Sequence, residues 1–205
     1  FYVVVMMILP LAFLVIGSFM RRYGFFNIAS PFTLNHWHNL LADPIFLVAL
    51  KNSLIIASVT AIGGILLYST LAYLLVSRRA IFAPVLESLC WIPHVLPGIL
   101  LSLSVLWLFL ATPLRFFLYG TVWGIAFALI LADSPVTTQA FKAGLMQLGG
   151  DLEESARVSG AGWTYTYRRI LLPLLAPIAA AVGLMNFGSA LTSISTPVLL
   201  YSHQS

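Results

Sequence analysis

The chain has 205 residues, 60% of them hydrophobic and only 8% charged, with ten lysines and arginines against six acids. This composition excludes an ordinary soluble domain. The basic residues mostly flank apolar segments, so they indicate membrane topology rather than nucleic-acid binding. Hydrocarbon offers no partner to free backbone polar groups, and a helical crossing takes roughly 20 apolar residues. The sequence therefore predicts an all-α, polytopic membrane helix bundle.

Five apolar stretches are long enough to cross a bilayer as helices. They lie near residues 2–20, 52–77, 89–111, 117–137 and 170–190. The segment between the first two is too polar for the bilayer and predicts an external loop with a short helix, and its polar and helix-breaking residues are Pro31, Asn35, His36, His38, Asp43 and Pro44. The two histidines lack a third ligand, so they are interpreted as exposed polar residues and no metal site is predicted.

A second polar segment, residues 138–169, separates the last two stretches and is predicted to be a cytoplasmic loop. This assignment satisfies the positive-inside rule with a small bias of six basic residues against four. The cytoplasmic set is Arg78, Arg79, Lys142, Arg157, Arg168 and Arg169, and the external set is Arg21, Arg22, Lys51 and Arg115.

Several polar or helix-breaking residues fall inside the apolar stretches. Pro93, Pro97 and Gly98 interrupt the third one, where such breaks either line a cavity or form a packing kink. His94 beside them is interpreted as a structural histidine. Asp133 is expected to make an interhelical hydrogen bond or a gate, or else to reach the interface. Near the outer end of the last stretch lie hydroxyls that either line a pore or pack helices: Thr192, Ser193, Ser195 and Thr196.

The most charged part of the chain is DLEESARVSGAGWTYTYRRILLP, residues 151–173. Gly149 and Gly150 are expected to end the preceding helix. Asp151, followed three residues later by Glu154, has the form of a capping box, which predicts that a new helix starts here.

Glycines predict the end of this short helix. Glu153 and Arg157 form a supporting i,i+4 pair within it, and Gly160 and Gly162 are predicted to terminate it in a left-handed cap. The residues that follow lead to Pro173, which is predicted to stand near the beginning of a membrane helix. The pattern therefore predicts a short helix, a tight turn and a rigid connection into the bilayer.

This segment resembles the EAA motif of permease subunits in binding-protein-dependent ABC importers. The motif reads E-A-A, three residues, G, nine residues, I-x-L-P, and the matching residues are Glu154, Ala156, Gly160, Ile170, Leu172 and Pro173. Only Ser155 departs, a small residue in place of alanine. In that family the motif forms a coupling helix seated in a groove of the ATPase subunit. The resemblance therefore implies that these residues couple the chain to an ATPase.

Other segments resemble the iron(III)-type subgroup of these permeases. LESLCWIPHVLPGILL (residues 86–101) looks like its W-x-P-x-x-x-P-G segment, and LYGTVWGIAFALILADSP looks like the helix that follows. FKAGLMQLGGDLEESARVSGAGW and STPVLLYS fit the same subgroup. The resemblance implies ferric iron as the substrate, with the polyamine, thiamine and phosphonate permeases as close relatives.

The same resemblance implies the organisation of the transporter. Residues 1–205 are expected to form a single transmembrane permease domain, a fragment of the carboxy-terminal-half type that lacks its last helix. The implied partners are an ATP-binding subunit, a second permease half or homologous subunit, and an extracytoplasmic substrate-binding protein, in the inner membrane of a bacterium or archaeon. No cofactor is implied. Within the membrane, the candidates for the translocation path are Pro93, Pro97, Gly98 and Ser195.

Two other classes of function compete with this interpretation. The sequence has no G-x-x-x-x-G-K-[ST] motif, so ATP would have to be hydrolysed by another subunit. A proton-coupled carrier would need an intramembrane relay, for which Glu87, Asp133 and His94 are the candidates. An intramembrane hydrolase would need a nucleophile paired with a base, and the G-x-S-x-G elbow is absent from the sequence.

Overall fold

The computed structural model describes residues 2, 4–22, 24, 30–76, 82–148 and 150–201. Within these ranges the chain is helical almost throughout, and its only extended pairing is an isolated bridge between Met20 and Phe32. The predicted all-α fold is therefore confirmed. Arg78, Arg79 and Gly149, which entered the predictions above, lie outside the described residues.

The described ranges hold α1 (Leu9–Ser18), α2 (Asn35–Ala42), α3 (Pro44–Val76), α4 (Ala83–Val95), α5 (Gly98–Ala111), α6 (Val122–Ala132), α7 (Ser134–Leu148), α8 (Asp151–Val158), α9 (Trp163–Thr166), α10 (Leu172–Leu174), α11 (Ala176–Thr192) and α12 (Ser195–Leu200). Two π-helical segments, Val4–Ile8 and Tyr167–Leu171, and a 3-10 turn, Pro113–Phe116, complete the set. The chain separates into two compact units, Phe1–Lys51 and Asn52–Ser205.

In the first unit, the chain that leaves α1 pairs with the chain that enters α2. The Arg21 N–H donates to the Pro31 carbonyl at 2.8 Å, and the Thr33 N–H donates to the Phe19 carbonyl at 2.6 Å. The rings of Phe19 and Trp37 lie 6.1 Å apart between centroids. Helix α2 confirms the short helix predicted for this segment.

Helix α3 is longer than the predicted stretch, because it begins at Pro44 and runs for 33 residues to Val76. Proline suits the first turn of a helix, where no N–H partner is needed, and the Asp43 carboxylate accepts a hydrogen bond from the Ile45 N–H at 2.9 Å. Among the described residues, α3 is the one helix long and apolar enough to cross a membrane by itself.

Three other predicted crossings are bent helix pairs. The bends are 113° between α4 and α5, 58° between α6 and α7, and 73° between the helix Trp163–Leu174 and α11. Counting each pair as one span gives up to four crossings in the described chain, and the first predicted crossing corresponds to a shorter apolar helix. Pro97, Pro135 and Pro177 stand at these bends, where their missing N–H groups interrupt the helical hydrogen bonds.

Two apolar clusters form the core of the second unit. The first surrounds Phe109 and joins α3, α5, α6, α11 and α12. The second surrounds Phe141 and joins α3, α7, α11 and the helix that follows α8. Because α7 contributes to this core as far as Leu145, the predicted loop 138–169 is shorter than expected and starts only after Leu148.

Small residues bring α3, α7 and α11 close together around one buried amide. Asn186 accepts a hydrogen bond from the Thr137 hydroxyl at 3.2 Å. A Cβ added at Gly64 would lie 2.8 Å from the Asn186 Nδ2 atom, and one added at Gly144 would overlap the side chain of Ile178. Close backbone approach at small residues is a common packing device between membrane helices.

Gly124→Ala is expected to lower the free energy of unfolding by about 1–3 kcal/mol, the usual cost of forcing an extra methyl into a packed site. A Cβ at Gly124 would overlap the backbone carbonyl oxygen of Leu118 and lie 3.1 Å from the Phe109 ring. The measurement is the thermal midpoint of the detergent-solubilised protein. Gly188→Ala is the control, because no atom of the described residues lies within 4 Å of a Cβ added there. Equal midpoints for the two variants would contradict the prediction.

Candidate functional site

Helix α8 begins where the sequence predicts, but without the predicted cap. Its N-cap residue is Gly150, and no side chain caps the helix. Asp151 is the first residue inside the helix, so its carboxylate is not at the N-cap position and the capping-box prediction is wrong. The first turn still carries Asp151, Glu153 and Glu154, whose negative charges are favourable beside the positive end of the helix dipole.

The end of α8 is a Schellman turn at Gly160. This glycine has a φ of 79°, its N–H donates to the Arg157 carbonyl at 2.9 Å, and the Ala161 N–H donates to the Ala156 carbonyl at 2.9 Å. These bonds satisfy carbonyls at the helix end, and they confirm the predicted glycine stop. Gly162 differs from its prediction, because it has φ −72° and ψ 160° and serves as the N-cap of α9.

The motif residues on α8 face in two directions. Glu154 is exposed, and among the described residues its carboxylate has no hydrogen bond or ion pair. Ala156 is buried, with 7% of its surface exposed, and therefore packs inward. Glu153 and Arg157 form the predicted i,i+4 ion pair. The outward face of α8 thus carries a carboxylate that is free to pair with another molecule.

The chain after the turn is helical and enters the bundle through a bend. Helix α9, the second π-helical segment and α10 follow one another without a break, and Leu175 then separates α10 from α11. Pro173 is the second residue of α10, so its predicted place at the beginning of a membrane helix is corrected: α11 begins at Ala176. Ile170 and Leu172 are half-buried, and Leu172 packs on the second apolar cluster.

Both arms of the turn contact the carboxyl-terminal end of α3. The Tyr73 hydroxyl donates to the Glu153 carboxylate at 2.9 Å. The Tyr73 ring lies 5.9 Å from Trp163 and 5.5 Å from Tyr167, and the last two rings stack at 6.0 Å. Tyr167 also shares a 2.7 Å hydrogen bond with the Ser69 hydroxyl. Sequence reasoning missed Tyr73 and Ser69, because they lie 80 and 98 residues from these partners and no local pattern marks them.

The break between α4 and α5 meets the break between α11 and α12 within the second unit. Gly98 opens α5 and Ser195 opens α12, and a Cβ at Gly98 would lie 3.2 Å from the Ser195 hydroxyl oxygen. The hydroxyl of Ser102, one turn after Gly98, and that of Thr196, directly after Ser195, share a buried hydrogen bond of 2.9 Å. The structure therefore brings two of the predicted path residues together, with Pro97 as the adjoining N-cap of α5.

The remaining predicted path residue, Pro93, lies inside α4. This helix is held on α7 by polar contacts that sequence reasoning did not predict. The Lys142 ammonium and the Glu87 carboxylate form an ion pair of 2.6 Å, and the Gln139 amide donates to the same carboxylate at 2.9 Å. Because these contacts anchor α4, they fix one side of the break at Pro97.

The three groups named for a proton relay have separate partners. Glu87 pairs with Lys142, the Asp133 carboxylate accepts from the Ser189 hydroxyl at 3.2 Å, and the His94 ring lies 6.2 Å from the Trp91 ring. Asp133 thus makes the interhelical hydrogen bond that was one of its expected roles. In the part of the chain that the structure describes, no three His, Cys, Asp or Glu side chains converge as a metal site.

Residues 64–204 match the family described as the binding-protein-dependent transport system inner membrane component. The matched stretch includes α8 with its turn at Gly160, and the place where Gly98 lies beside Ser195. The chain belongs to this family. It is therefore an ABC permease and a component of the inner membrane, and the resemblance found in its sequence is confirmed at the level of the family.

The permease is similar to transport proteins of several specificities. It is 26% identical over 200 residues to an ABC transporter permease protein of Sinorhizobium fredii, 27% identical over 198 residues to a 2-aminoethylphosphonate transport system permease protein of Salmonella typhi, and 25% identical over 158 residues to an Fe(3+)-transport system permease protein of Haemophilus influenzae. These matches cover 95%, 97% and 77% of this permease. They cover 35%, 74% and 31% of the lengths of the three relatives, so the chain spans about a third of the length of the Sinorhizobium fredii protein.

Proposed function

We propose that this permease couples ATP hydrolysis by a separate subunit to the uptake of a solute. The observation that carries the proposal is α8 with its Schellman turn, which presents the unpaired Glu154 carboxylate on an exposed face. The two hydrogen bonds of the turn define the backbone around Gly160. A short helix held in this way is suited to seat in a groove of an ATP-binding subunit.

The six motif residues divide into two groups by burial. Glu154, Gly160 and Pro173 are exposed, and we assign them to the surface that contacts the ATP-binding subunit. The other three are buried or half-buried and hold the segment on the bundle: Ala156, Ile170 and Leu172. Both groups support coupling, because a docked helix that was loose on the bundle would move without moving the membrane helices.

The translocation path is assigned to the place where the breaks meet, near Gly98 and Ser195. Broken helices are tolerated inside membranes where they line a cavity, and the Ser195 hydroxyl supplies a polar group there. Pro97 belongs to the path as the residue at the break between α4 and α5, and Pro93 is assigned to it as the proline in the last turn of α4. A second permease half, fused or separate, would complete the path, with α8 facing the cytoplasm and a substrate-binding protein on the opposite side.

Two solutes are supported as substrates by different observations. Ferric iron is implied by the sequence resemblance, and the Haemophilus influenzae relative is named for Fe(3+) transport. The second candidate, 2-aminoethylphosphonate, is favoured because the Salmonella typhi match covers 97% of this chain and 74% of that relative, against 77% and 31% for the iron relative.

The test is co-purification followed by an ATPase assay. The tagged permease is expected to retain an ATP-binding subunit, and a binding protein loaded with ferric iron or with 2-aminoethylphosphonate is expected to stimulate hydrolysis by about fivefold or more. Phosphate release by the reconstituted complex is the measurement, with the unloaded binding protein as control. Absence of an associated ATP-binding subunit would contradict the proposed function, whereas the solute that stimulates decides the substrate.

A further inference from the structure

The docking segment, residues 151–173, has its Schellman turn at Gly160. The end of α3 contacts this segment both before and after Gly160. Ser69 and Tyr73 are four residues apart and therefore lie on one face of α3. Tyr73 reaches back to Glu153 on α8, before the turn, and also packs on Trp163 and Tyr167, after it. One face of a membrane helix thus holds both arms of the segment that carries Gly160.

Burial makes these contacts a fixed connection. Tyr73 and Tyr167 are 5% and 8% exposed and belong to the second apolar cluster. The Tyr167 hydroxyl bonds to Ser69 at 2.7 Å and also to the Thr70 hydroxyl at 3.2 Å. Glu153 accepts from both Tyr73 and Arg157. Because the polar ends of both tyrosines have partners and their rings are packed, neither ring is free to change rotamer while the contacts last.

We propose that a displacement of α8 moves α3 through an aromatic joint. The joint consists of Tyr73, Trp163 and Tyr167, together with Glu153. This inference rests on the proposed function, because it assumes that α8 binds an ATP-binding subunit. The covalent chain connects α8 to α7 on one side and, through α9 and α10, to α11 on the other. Without the joint, a displacement of α8 would reach α3 only through the packing of these helices. The joint adds a direct connection at the end of α3 nearest the docking segment, and its members are positioning residues.

The joint is tested in the assembled complex with Tyr73→Ala and Trp163→Ala. Binding of the ATP-binding subunit and hydrolysis without the binding protein are expected to stay at the wild-type level, since neither residue belongs to the proposed contact surface of Glu154, Gly160 and Pro173. The binding protein is loaded with the solute that activates the wild type, ferric iron or 2-aminoethylphosphonate. Its stimulation of ATP hydrolysis is expected to fall by about fivefold or more in both variants. Trp163 is half exposed, so its replacement tests the joint even where Tyr73→Ala lowers the yield of folded protein.

Tyr165→Ala is the matched control, because Tyr165 stands on the same short helix but is 60% exposed and outside the joint. It is expected to keep full stimulation. Wild-type stimulation in the Tyr73→Ala and Trp163→Ala complexes would overturn the joint and leave the proposed function standing. A wild-type complex that no loaded binding protein stimulates would remove the proposed function and the role of the joint with it.

A double-mutant cycle isolates the hydrogen bond within the joint. Tyr73→Phe removes the hydroxyl and keeps the ring, and Glu153→Ala removes its acceptor. If the bond transmits the motion, the double variant is expected to lose no more stimulation than the more affected single variant, because both changes delete the same contact. Independent, additive losses would show that the two side chains act separately and would overturn this part of the proposal.

Discussion

Gly160→Val is expected to abolish most of the stimulation of ATP hydrolysis while the permease stays folded in the membrane. Gly160 has a φ of 79°, which a β-branched residue adopts at a cost of about 1–3 kcal/mol. Among the described residues, no atom lies within 4 Å of a Cβ built at this position, so the substitution acts on the turn and not on the core. This conformational cost corresponds to a loss of about 5- to 150-fold in stimulation, measured by phosphate release from the reconstituted complex.

The chain provides a matched control two residues away. At Gly162, too, an added Cβ would have no neighbour within 4 Å in the described part of the chain, but the φ of −72° and ψ of 160° of this residue are accessible to any residue. Gly162→Val is therefore expected to keep most of the stimulation, and Gly160→Asn is expected to restore part of it, because asparagine tolerates the left-handed conformation. Equal losses in Gly160→Val and Gly162→Val would show that the left-handed turn is not required for coupling.

Glu154→Lys is expected to weaken retention of the ATP-binding subunit by about tenfold or more, the consequence of reversing a charge at a contact. The exposed Glu154 carboxylate has no partner within the described chain, so its loss costs the isolated permease little beyond the interaction with the helix dipole, about 0.3–1 kcal/mol. The measurement is the amount of ATP-binding subunit recovered with the tagged permease at equal permease yield.

Two further variants separate the contact from the electrostatics of the helix. Asp151→Lys places the same charge in the same exposed first turn and imposes a similar dipole penalty, and Glu154→Gln removes the charge with little change of shape. Retention is expected to be weakened moderately by Glu154→Gln and least by Asp151→Lys. If Asp151→Lys matched Glu154→Lys, the effect would belong to the charge of the whole turn and the specific contact of Glu154 would be refuted.

Local features of the docking segment were predictable from the sequence. The start of α8 at Asp151, the stop at Gly160 and the pair of Glu153 with Arg157 all depend on residues within a few positions of one another. The capping box failed for an equally local reason. The helical backbone already includes Asp151, which leaves Gly150 at the N-cap position. The sequence alone does not show which residue first adopts helical φ and ψ angles.

Features that depend on distant residues were not predictable in this way. Pro97 and Gly98 predicted a break within the stretch 89–111, but the sequence does not give the 113° angle between α4 and α5, which depends on how distant helices pack. The joint at Tyr73 and the hydroxyl pair of Ser102 and Thr196, 94 residues apart, require the tertiary fold. The resemblance to the EAA motif located the segment, whereas only the structure shows that Ala156 faces the interior while Glu154 faces outward.

The buried amide of Asn186 sets how three helices can be displaced. Its side chain is bonded to Thr137 on α7 and lies against Gly64 on α3, where a larger residue would not fit. The amide nitrogen Nδ2 is buried without a hydrogen-bond partner among the described residues, so the amide is held through its oxygen. Sliding α11 along α7 by one turn would break the bond to Thr137 and leave this oxygen unpaired as well, at a cost of about 1–3 kcal/mol. Axial sliding of α11 against α7 is thus opposed, and tilting of these helices together is the displacement that keeps the bond.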